Sequence, residues 1–145
     1  MNKIIKRGFD LVFSSIIIVG LLSWFVPILA IIIKLDSKGP VFFIQKRNGL
    51  NYKEFNCFKF RSMYINDKAD LDLSSKNDVR ITKVGKFIRK TSIDELPQFF
   101  NVFWGEMSVV GPRPHMVSVA NLYALKVDKF MVRHFVKPGI TGLAQ

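Results

Sequence analysis

A chain of 145 residues with 22 lysines and arginines against 11 acidic residues is long enough for one domain with a modest core, and a second independent domain is not expected. Its net charge of +11 suits nucleic acid, anionic lipid or a phosphorylated substrate, and charge alone does not rank these three partners. Cys57 is the only cysteine, which excludes an intramolecular disulfide and a zinc site built from cysteines.

The first predicted element is an apolar membrane helix. Residues 11–33 carry no charged side chain, and a bilayer core takes about 20 apolar residues to cross. Pro27 interrupts this run, and cations such as Arg7 and Lys34 flank it on both sides, which draws both ends towards the cytoplasm. We therefore predict a re-entrant hairpin broken near Pro27, with the freed carbonyl satisfied by Ser23 or by packed protein. A straight membrane-spanning helix is the alternative. A signal peptide is disfavoured because no small-residue cleavage site follows.

Turn-forming residues at 36–40 end this helix, so residues 1–38 are predicted to be the membrane anchor and residues 39–145 a cytoplasmic catalytic domain. The fold class expected is α+β, with a small, mostly helical domain that carries a β-hairpin and interfacial amphipathic helices. The predicted elements are strands at 41–46 and 54–63 joined by a turn at 48–51, a loop or short helix at 66–78, helices at 84–88, 96–103 and about 116–132, and a strand-like run at 107–110.

Residues 99–104 are unusually aromatic for a surface helix. Core packing explains such a segment, and so does a helix lying at headgroup depth, where aromatic rings settle. The apolar helix upstream gives the interfacial interpretation more weight.

Two adjacent carboxylates, Asp94 and Glu95, follow two cations at the start of a helical pattern. Ser92 and Glu95 fit a capping box, which is the purely structural interpretation. Pro97 disfavours a helix that starts after Ser92, because its missing amide hydrogen would break an intrahelical bond. A helix starting at Asp94 leaves both carboxylates free to bind magnesium through oxygen, and one of them free to attack phosphorus.

Several cations are candidates for phosphate contacts. Arg113 lies between two prolines, and a rigid turn lowers the cost of ordering a bidentate arginine. Period-two alternation predicts that Lys59 and Arg61 project from one face of a strand. An ordinary loop arginine and a solvated basic face are the respective alternatives. No phosphate-binding glycine loop, dinucleotide fingerprint or metal-spaced histidine pair is present in the sequence.

The order of several short motifs along the chain is more specific than any one of them. The motifs are Lys6-Arg7 with Asp10, Gly39-Pro40-Val41-Phe42-Phe43 with Gln45, Arg47 and Gly49, Lys59-Phe60-Arg61-Ser62-Met63, Arg80-Ile81-Thr82, Ser92-Ile93-Asp94-Glu95-Leu96-Pro97-Gln98, Asn101-Val102, Gly105-Glu106-Met107-Ser108, Gly111-Pro112-Arg113-Pro114 and Lys137-Pro138-Gly139-Ile140-Thr141-Gly142. Along nearly the whole chain, this order resembles that of the bacterial sugar transferases, also called monotopic phosphoglycosyl transferases.

The resemblance implies a re-entrant membrane helix at the bacterial inner membrane and a magnesium-dependent reaction on its cytoplasmic face. An aspartate takes the phosphosugar from a UDP-sugar, UMP leaves, and undecaprenyl phosphate accepts the phosphosugar. This step initiates surface glycans such as exopolysaccharide, capsule or O-antigen. By position, Asp94 resembles the nucleophile, Glu95 its partner, and Arg89 and Arg113 phosphate contacts. Family members generally continue beyond the residue equivalent to Gln145, so a C-terminally shortened chain is expected.

The predicted site therefore comprises Asp94 and Glu95, which also hold Mg²⁺, with Lys59, Arg61, Arg89 and Arg113 as substrate contacts. Membrane lipids are expected partners, and homo-oligomerisation is left open. The alternative is a membrane-tethered protein that binds an anionic ligand without catalysis. Nucleic acid is not an expected partner, because the aromatic residues do not alternate with lysines and arginines as a stacking platform would.

Overall fold

The computed structural model of the protein describes residues 2–65, 78–118, 120 and 130–142. Helices and small sheets are mixed, which confirms the predicted combination of helix and sheet. The predicted loop or helix at 66–78, apart from Asp78, and most of the predicted helix at 116–132 lie outside the described residues. The elements are α1 (Lys3–Ile17), α2 (Ser23–Asp36), β1 (Phe42–Asn48), β2 (Glu54–Phe60), α3 (Lys83–Lys90), α4 (Gln98–Trp104), β3 (Ser108–Val110) and β4 (Gly139–Thr141), with 3₁₀ turns at Leu50–Tyr52, Ile93–Glu95 and Phe130–Phe135.

The N-terminal apolar segment is one helix from Lys3 to Asp36, long and apolar enough to cross a membrane by length and composition. Only 17% of its most apolar stretch is buried in the protein, unlike a core helix of a soluble domain. Its outward face exposes large apolar side chains. These include Ile4, Ile5, Val12, Ile16, Val19, Trp24, Ile28, Ile31 and Leu35.

No break is present at Pro27, where one was predicted, because Pro27 lies inside α2. The helix is irregular earlier, at a π-helical turn from Ile18 to Leu22. Directly after this turn the Ser23 hydroxyl donates to the Val19 carbonyl at 2.6 Å, and the Trp24 indole donates to the Gly20 carbonyl at 2.9 Å. Side chains thus donate hydrogen bonds to backbone carbonyls of the π-helical turn, where the regular α-helical hydrogen-bond pattern is interrupted. The chain stays helical through Pro27 to Asp36, so a re-entrant hairpin remains a prediction.

The inward face of the same helix belongs to the two apolar cores. Leu22 packs in the first core, with Cys57 and Val102 among its fully buried members. Leu29 and Ile33 pack in the second core with Phe60 and Ile88. The apolar helix therefore shares both cores with the rest of the chain. The division at residue 38 between a membrane anchor and a catalytic domain stays a prediction.

Polar contacts hold both ends of the helix to the rest of the fold. Near the N-terminus, Arg7 donates to the carbonyls of Val102 and Phe103 at the end of α4, both at 2.7 Å. Near the C-terminus, the Asp36 carboxylate accepts from the Val84 amide at 3.1 Å. The helix is therefore tied at both ends to one folded unit.

The predicted β-hairpin is confirmed. Strands β1 and β2 pair antiparallel, from Phe42 opposite Phe60 to Asn48 opposite Glu54. Asn51 and Tyr52 adopt left-handed backbone angles in the connecting turn, which an asparagine accommodates more readily than most residues. The second strand ends at Phe60, earlier than the predicted 63.

A second sheet was not predicted. Residues 139–141 form β4, which pairs parallel with β3. A Cβ atom on Gly139 would lie 2.0 Å from the Gly111 amide nitrogen, so these two glycines allow a backbone approach that side chains would prevent. A three-residue strand is too short for periodicity to reveal.

The aromatic segment at 99–104 packs in the core on one side, as predicted, while its location at headgroup depth stays a prediction. Phe99 and Val102 are buried in the first core, whereas Phe103 and Trp104 are exposed. Trp104 stacks on Phe100 with ring centroids 6.0 Å apart. The helix α4 therefore contributes one side to the core and presents aromatic rings on the other.

Candidate active site

The two carboxylates lie on the 3₁₀ turn Ile93–Glu95, between α3 and α4. Ser92 precedes the turn in a left-handed conformation with φ 57°, and its side chain makes no capping hydrogen bond. The helix α4 starts at Gln98, directly after Pro97. The capping-box interpretation is therefore wrong, and Pro97 stands where its missing amide costs no intrahelical bond. The predicted helix start at Asp94 is also wrong, because Asp94 lies on the 3₁₀ turn and α4 begins only at Gln98.

Glu95 is held by two cations from distant parts of the chain. Lys59 Nζ on β2 lies 2.6 Å from Glu95 Oε1, and Arg113 Nη2 lies 2.8 Å from the same oxygen. The side chains of Lys59 and Glu95 are each only 14% exposed. Burial raises the pKa of Glu95, but the charges and hydrogen bonds of Lys59 and Arg113 outweigh burial and hold it below its usual value. Glu95 is therefore a firmly ionised carboxylate that orders two cations.

Asp94 has a different environment although it is the adjacent residue. It is 9% exposed, and no other described residue donates a side-chain hydrogen bond to it. Burial, with a further contribution from the negative charge of Glu95, raises the pKa of Asp94, against the opposing effects of Lys59 and Arg89. The pair thus combines an ion-paired carboxylate, Glu95, with a desolvated carboxylate, Asp94. Neighbouring carboxyls whose pKa values are shifted in opposite directions are typical of sites where the two groups have different chemical roles.

The predicted cations divide into two groups. Lys59, Arg113 and Arg89 lie at the dyad, where Arg89 also reaches the Ser62 hydroxyl at 3.4 Å. Arg61 instead donates to the carbonyls of Ser37 and Lys38, both at 2.7 Å, and is 6% exposed. This geometry does not support a substrate contact for Arg61, whose bonds fix the end of α2.

The turn that carries Arg113 is held by two arginines that were not predicted as site residues. Arg133 donates to the Arg113 carbonyl at 3.0 Å, and Arg47 donates to the Pro114 carbonyl. His115 Nδ1 also contacts the Arg113 carbonyl, at 3.1 Å. These bonds fix two consecutive carbonyls, so the Arg113 guanidinium is presented from a rigid backbone. The sequence carried no local signal for Arg47 and Arg133, because each donates to a carbonyl at least 20 positions away in the chain.

A cavity of about 250 Å³ opens beside the dyad. Glu95 and Arg113 form its charged wall, and Leu96, Phe99 and Ile140 form an apolar wall. Asp94 does not line this cavity, although it precedes Glu95 in the chain. The cavity thus offers a phosphate-attracting side and an apolar side to one ligand.

The donor set available for a metal consists of the two adjacent carboxylates. Within the described residues, no group of three or more histidine, cysteine, aspartate or glutamate side chains could hold a metal ion. Mg²⁺ is commonly held by one or two carboxylates together with substrate phosphates, so the dyad fits Mg²⁺ as a site shared with a phosphorylated ligand.

Comparison with known proteins gives one consistent result. The sequence pattern of the family described as bacterial sugar transferase matches residues 1–145. The chain is 51% identical to the UDP-glucose:undecaprenyl-phosphate glucose-1-phosphate transferase of Klebsiella pneumoniae, with 100% of the chain and 31% of that protein covered. It is 44% identical to the UDP-N-acetylgalactosamine-undecaprenyl-phosphate N-acetylgalactosaminephosphotransferase of Aeromonas hydrophila, with 97% of the chain and 33% of that protein covered.

A shorter relative is covered more fully. The chain is 45% identical to the exopolysaccharide production protein PSS of Rhizobium leguminosarum bv. phaseoli, across 100% of the chain and 74% of that protein. Against the two longer relatives, the chain spans about a third of their length.

Proposed function

Since the chain belongs to the bacterial sugar transferase family, we propose that it transfers a phosphosugar from a UDP-sugar to undecaprenyl phosphate and so initiates a bacterial surface glycan. Two of its relatives are named for this class of transfer, one with glucose and one with N-acetylgalactosamine. The observation that carries the proposal is the pairing of a desolvated Asp94 with a Glu95 that orders Lys59 and Arg113.

In the proposed first step, an Asp94 carboxylate oxygen attacks the phosphorus that carries the sugar. A carboxylate–phosphorus bond forms, the bond to the bridging oxygen of the diphosphate breaks, and UMP leaves with that electron pair. Asp94 suits this role because, in the described residues, no cation or amide from another residue occupies its oxygens. Its burial disfavours the charged form, so attack relieves an unfavourable charge.

In the proposed second step, a phosphate oxygen of undecaprenyl phosphate attacks the same phosphorus and the bond to Asp94 breaks. Arg113 and Arg89 lie where they can attract the phosphate oxygens of either substrate. The apolar wall of the cavity, formed by Leu96, Phe99 and Ile140, suits the first isoprenoid units of the acceptor.

Asp94 and Glu95 would hold Mg²⁺ together with the diphosphate. When bound, the ion neutralises charge that develops on the phosphate oxygens. Lys59 and Arg113, which both contact Glu95 Oε1, are the protein's own positive charges beside the dyad. They would add to the neutralisation of the phosphate charge.

We also propose that the chain lies on one side of the bacterial inner membrane, with its site in the cytoplasm and its N-terminal helix inserted from that side. Two features support this placement. The outward face of the helix is apolar and exposed, while Arg7 and Asp36 tie its two ends to one folded unit. A helix tied at both ends to one domain is hard to reconcile with ends on opposite sides of a bilayer about 30 Å thick.

A direct test is incubation of the membrane-embedded chain with Mg²⁺ and either UDP-glucose or UDP-N-acetylgalactosamine, without lipid acceptor. UMP should be released, and a phosphosugar mass should appear on the peptide that contains Asp94. Asp94→Asn keeps the side-chain size but removes the anionic nucleophile, so it should form no adduct. Adduct formation by Asp94→Asn, with deamidation excluded by mass, would refute the assignment.

A further inference from the structure

One face of α3 points away from the fold. Its exposed side chains are Lys83, Lys86, Phe87 and Lys90, at successive spacings of three, one and three residues. Such spacing places all four on one stripe of a helix. Phe87 is 62% exposed and lies within this basic stripe. We call these four residues the α3 basic face.

The opposite side of α3 fixes the orientation of the helix. Val84 and Ile88 pack in the second core against Leu29 and Ile33 of α2. A Cβ atom on Gly85 would lie 1.9 Å from the Ser62 carbonyl oxygen, so α3 packs directly on that backbone. The helix cannot rotate to bury its basic face without breaking these contacts.

The position of α3 along the apolar helix is also defined. The Val84 amide at its start donates to Asp36, the last residue of α2, at 3.1 Å. Ile31 and Leu35, in the last turns of α2, are exposed. The α3 basic face therefore begins where the apolar helix ends, the depth at which lipid headgroups meet acyl chains.

The charges of this face are uncompensated within the described chain. None of Lys83, Lys86 and Lys90 forms an ion pair there, and α3 itself contains no acidic residue. Lysines with an apolar ring between them match an anionic headgroup layer above an acyl boundary.

We propose that the α3 basic face binds anionic lipid headgroups, with Phe87 at the acyl boundary, and gives the protein a preference for anionic membranes. This inference rests on the proposed membrane placement and not on the proposed transfer chemistry. A lysine near an anionic membrane surface contributes about fivefold to the attraction, so two lysines contribute about 25-fold at most.

The test compares lipid selectivity of the full chain reconstituted in phosphatidylcholine vesicles. Electron spin resonance of spin-labelled phosphatidylglycerol and phosphatidylcholine measures the association of each lipid with the protein. The native chain should prefer phosphatidylglycerol, and Lys86→Gln/Lys90→Gln should lose most of that preference. Lys46→Gln/Lys53→Gln removes the same charge from exposed positions on the hairpin and should keep it. High salt should reduce the native preference, because it screens surface charge.

The outcomes separate the alternatives. Equal selectivity in the native chain and Lys86→Gln/Lys90→Gln would overturn the proposal. Equal losses in both double variants would also overturn it, because net charge rather than this face would then be responsible. Flotation on a density gradient checks that the chain is bound to the vesicles. A native chain that floats with the vesicles but shows no phosphatidylglycerol preference would exclude anionic lipid as the partner of the α3 basic face and point to an acidic protein. Failure to float would contradict the membrane placement itself, and adduct formation on Asp94 would still report on the chemistry separately.

Discussion

Replacing Glu95 by glutamine should reveal how strongly the ion pairs stabilise the fold. Lys59 and Arg113 both contact Glu95 Oε1, at 2.6 and 2.8 Å. Removing one partner of a buried pair costs about 3–5 kcal/mol, because the remaining charge is desolvated and uncompensated. Glutamine keeps an acceptor oxygen and Arg113 is partly exposed to water, so we expect a loss of about 2–3 kcal/mol for Glu95→Gln.

The loss should depend on pH in a defined direction. The cations hold the pKa of Glu95 below its ordinary value of 4.5 despite burial, which acts in the opposite sense. A depressed pKa in the folded state stabilises the fold above the ordinary pKa, and this contribution disappears as the pH falls through the folded value. The native chain and Glu95→Gln should therefore differ most near neutral pH and converge in acid below pH 4.5.

Thermal unfolding in detergent micelles, followed by circular dichroism between neutral and acid pH, measures this difference. At about 4 °C per kcal/mol for a chain of this size, Glu95→Gln should unfold about 8–12 °C below the native chain at neutral pH. Glu54→Gln is the matched control, because its pair with Lys46 is exposed and worth about 0–1 kcal/mol. An equal deficit at neutral and acid pH, or none at neutral pH, would refute the electrostatic reasoning.

Three further predictions use the same chain. Asp94→Asn should unfold at a higher temperature than the native chain at neutral pH, since burial raises the pKa of Asp94 and makes its charge unfavourable; the gain should fade as the pH falls through this raised pKa and be absent below pH 3.8, and a less stable variant would contradict this. Arg113→Ala should lower kcat/KM for the UDP-sugar about 100-fold, and Arg113→Lys should recover only part, because lysine lacks bidentate geometry; unchanged kinetics would remove Arg113 from the site. Cysteines placed at Asn2 and Lys38 should both react with an impermeant maleimide only from the cytoplasmic side, and periplasmic labelling at Asn2 would exclude the re-entrant arrangement.

Local chemistry in the sequence singled out the two adjacent carboxylates and excluded a helix that starts after Ser92, but it placed the helix start at Asp94, whereas α4 begins only at Gln98. Pro97 removes one amide hydrogen, which rules out a helix running through it from Ser92. The structure agrees, because α4 begins directly after Pro97. The hairpin was equally accessible, since Phe55 and Cys57 alternate with exposed neighbours on β2.

Lys59 and Arg113 were predicted as substrate contacts, but their ion pairs with Glu95 could not be predicted from the sequence. Lys59 reaches Glu95 across 36 positions and Arg113 across 18, distances over which no local periodicity operates. Arg61 was predicted to project from the same strand face as Lys59, because side chains alternate between the two faces of a strand. Strand β2 ends at Phe60, so the period-two rule that grouped Arg61 with Lys59 no longer applies at residue 61.

The polar residues at the start of the apolar helix have a role that membrane orientation rules do not describe. Asp10 is buried and accepts hydrogen bonds from the Ser108 hydroxyl at 3.0 Å and the Val109 amide at 2.9 Å, both on β3. Strand β3 leads directly into the turn that carries Arg113. Arg7 caps the last carbonyls of α4, where cations are favoured by the helix dipole, and α4 follows the dyad. The apolar helix therefore positions elements on both sides of the site.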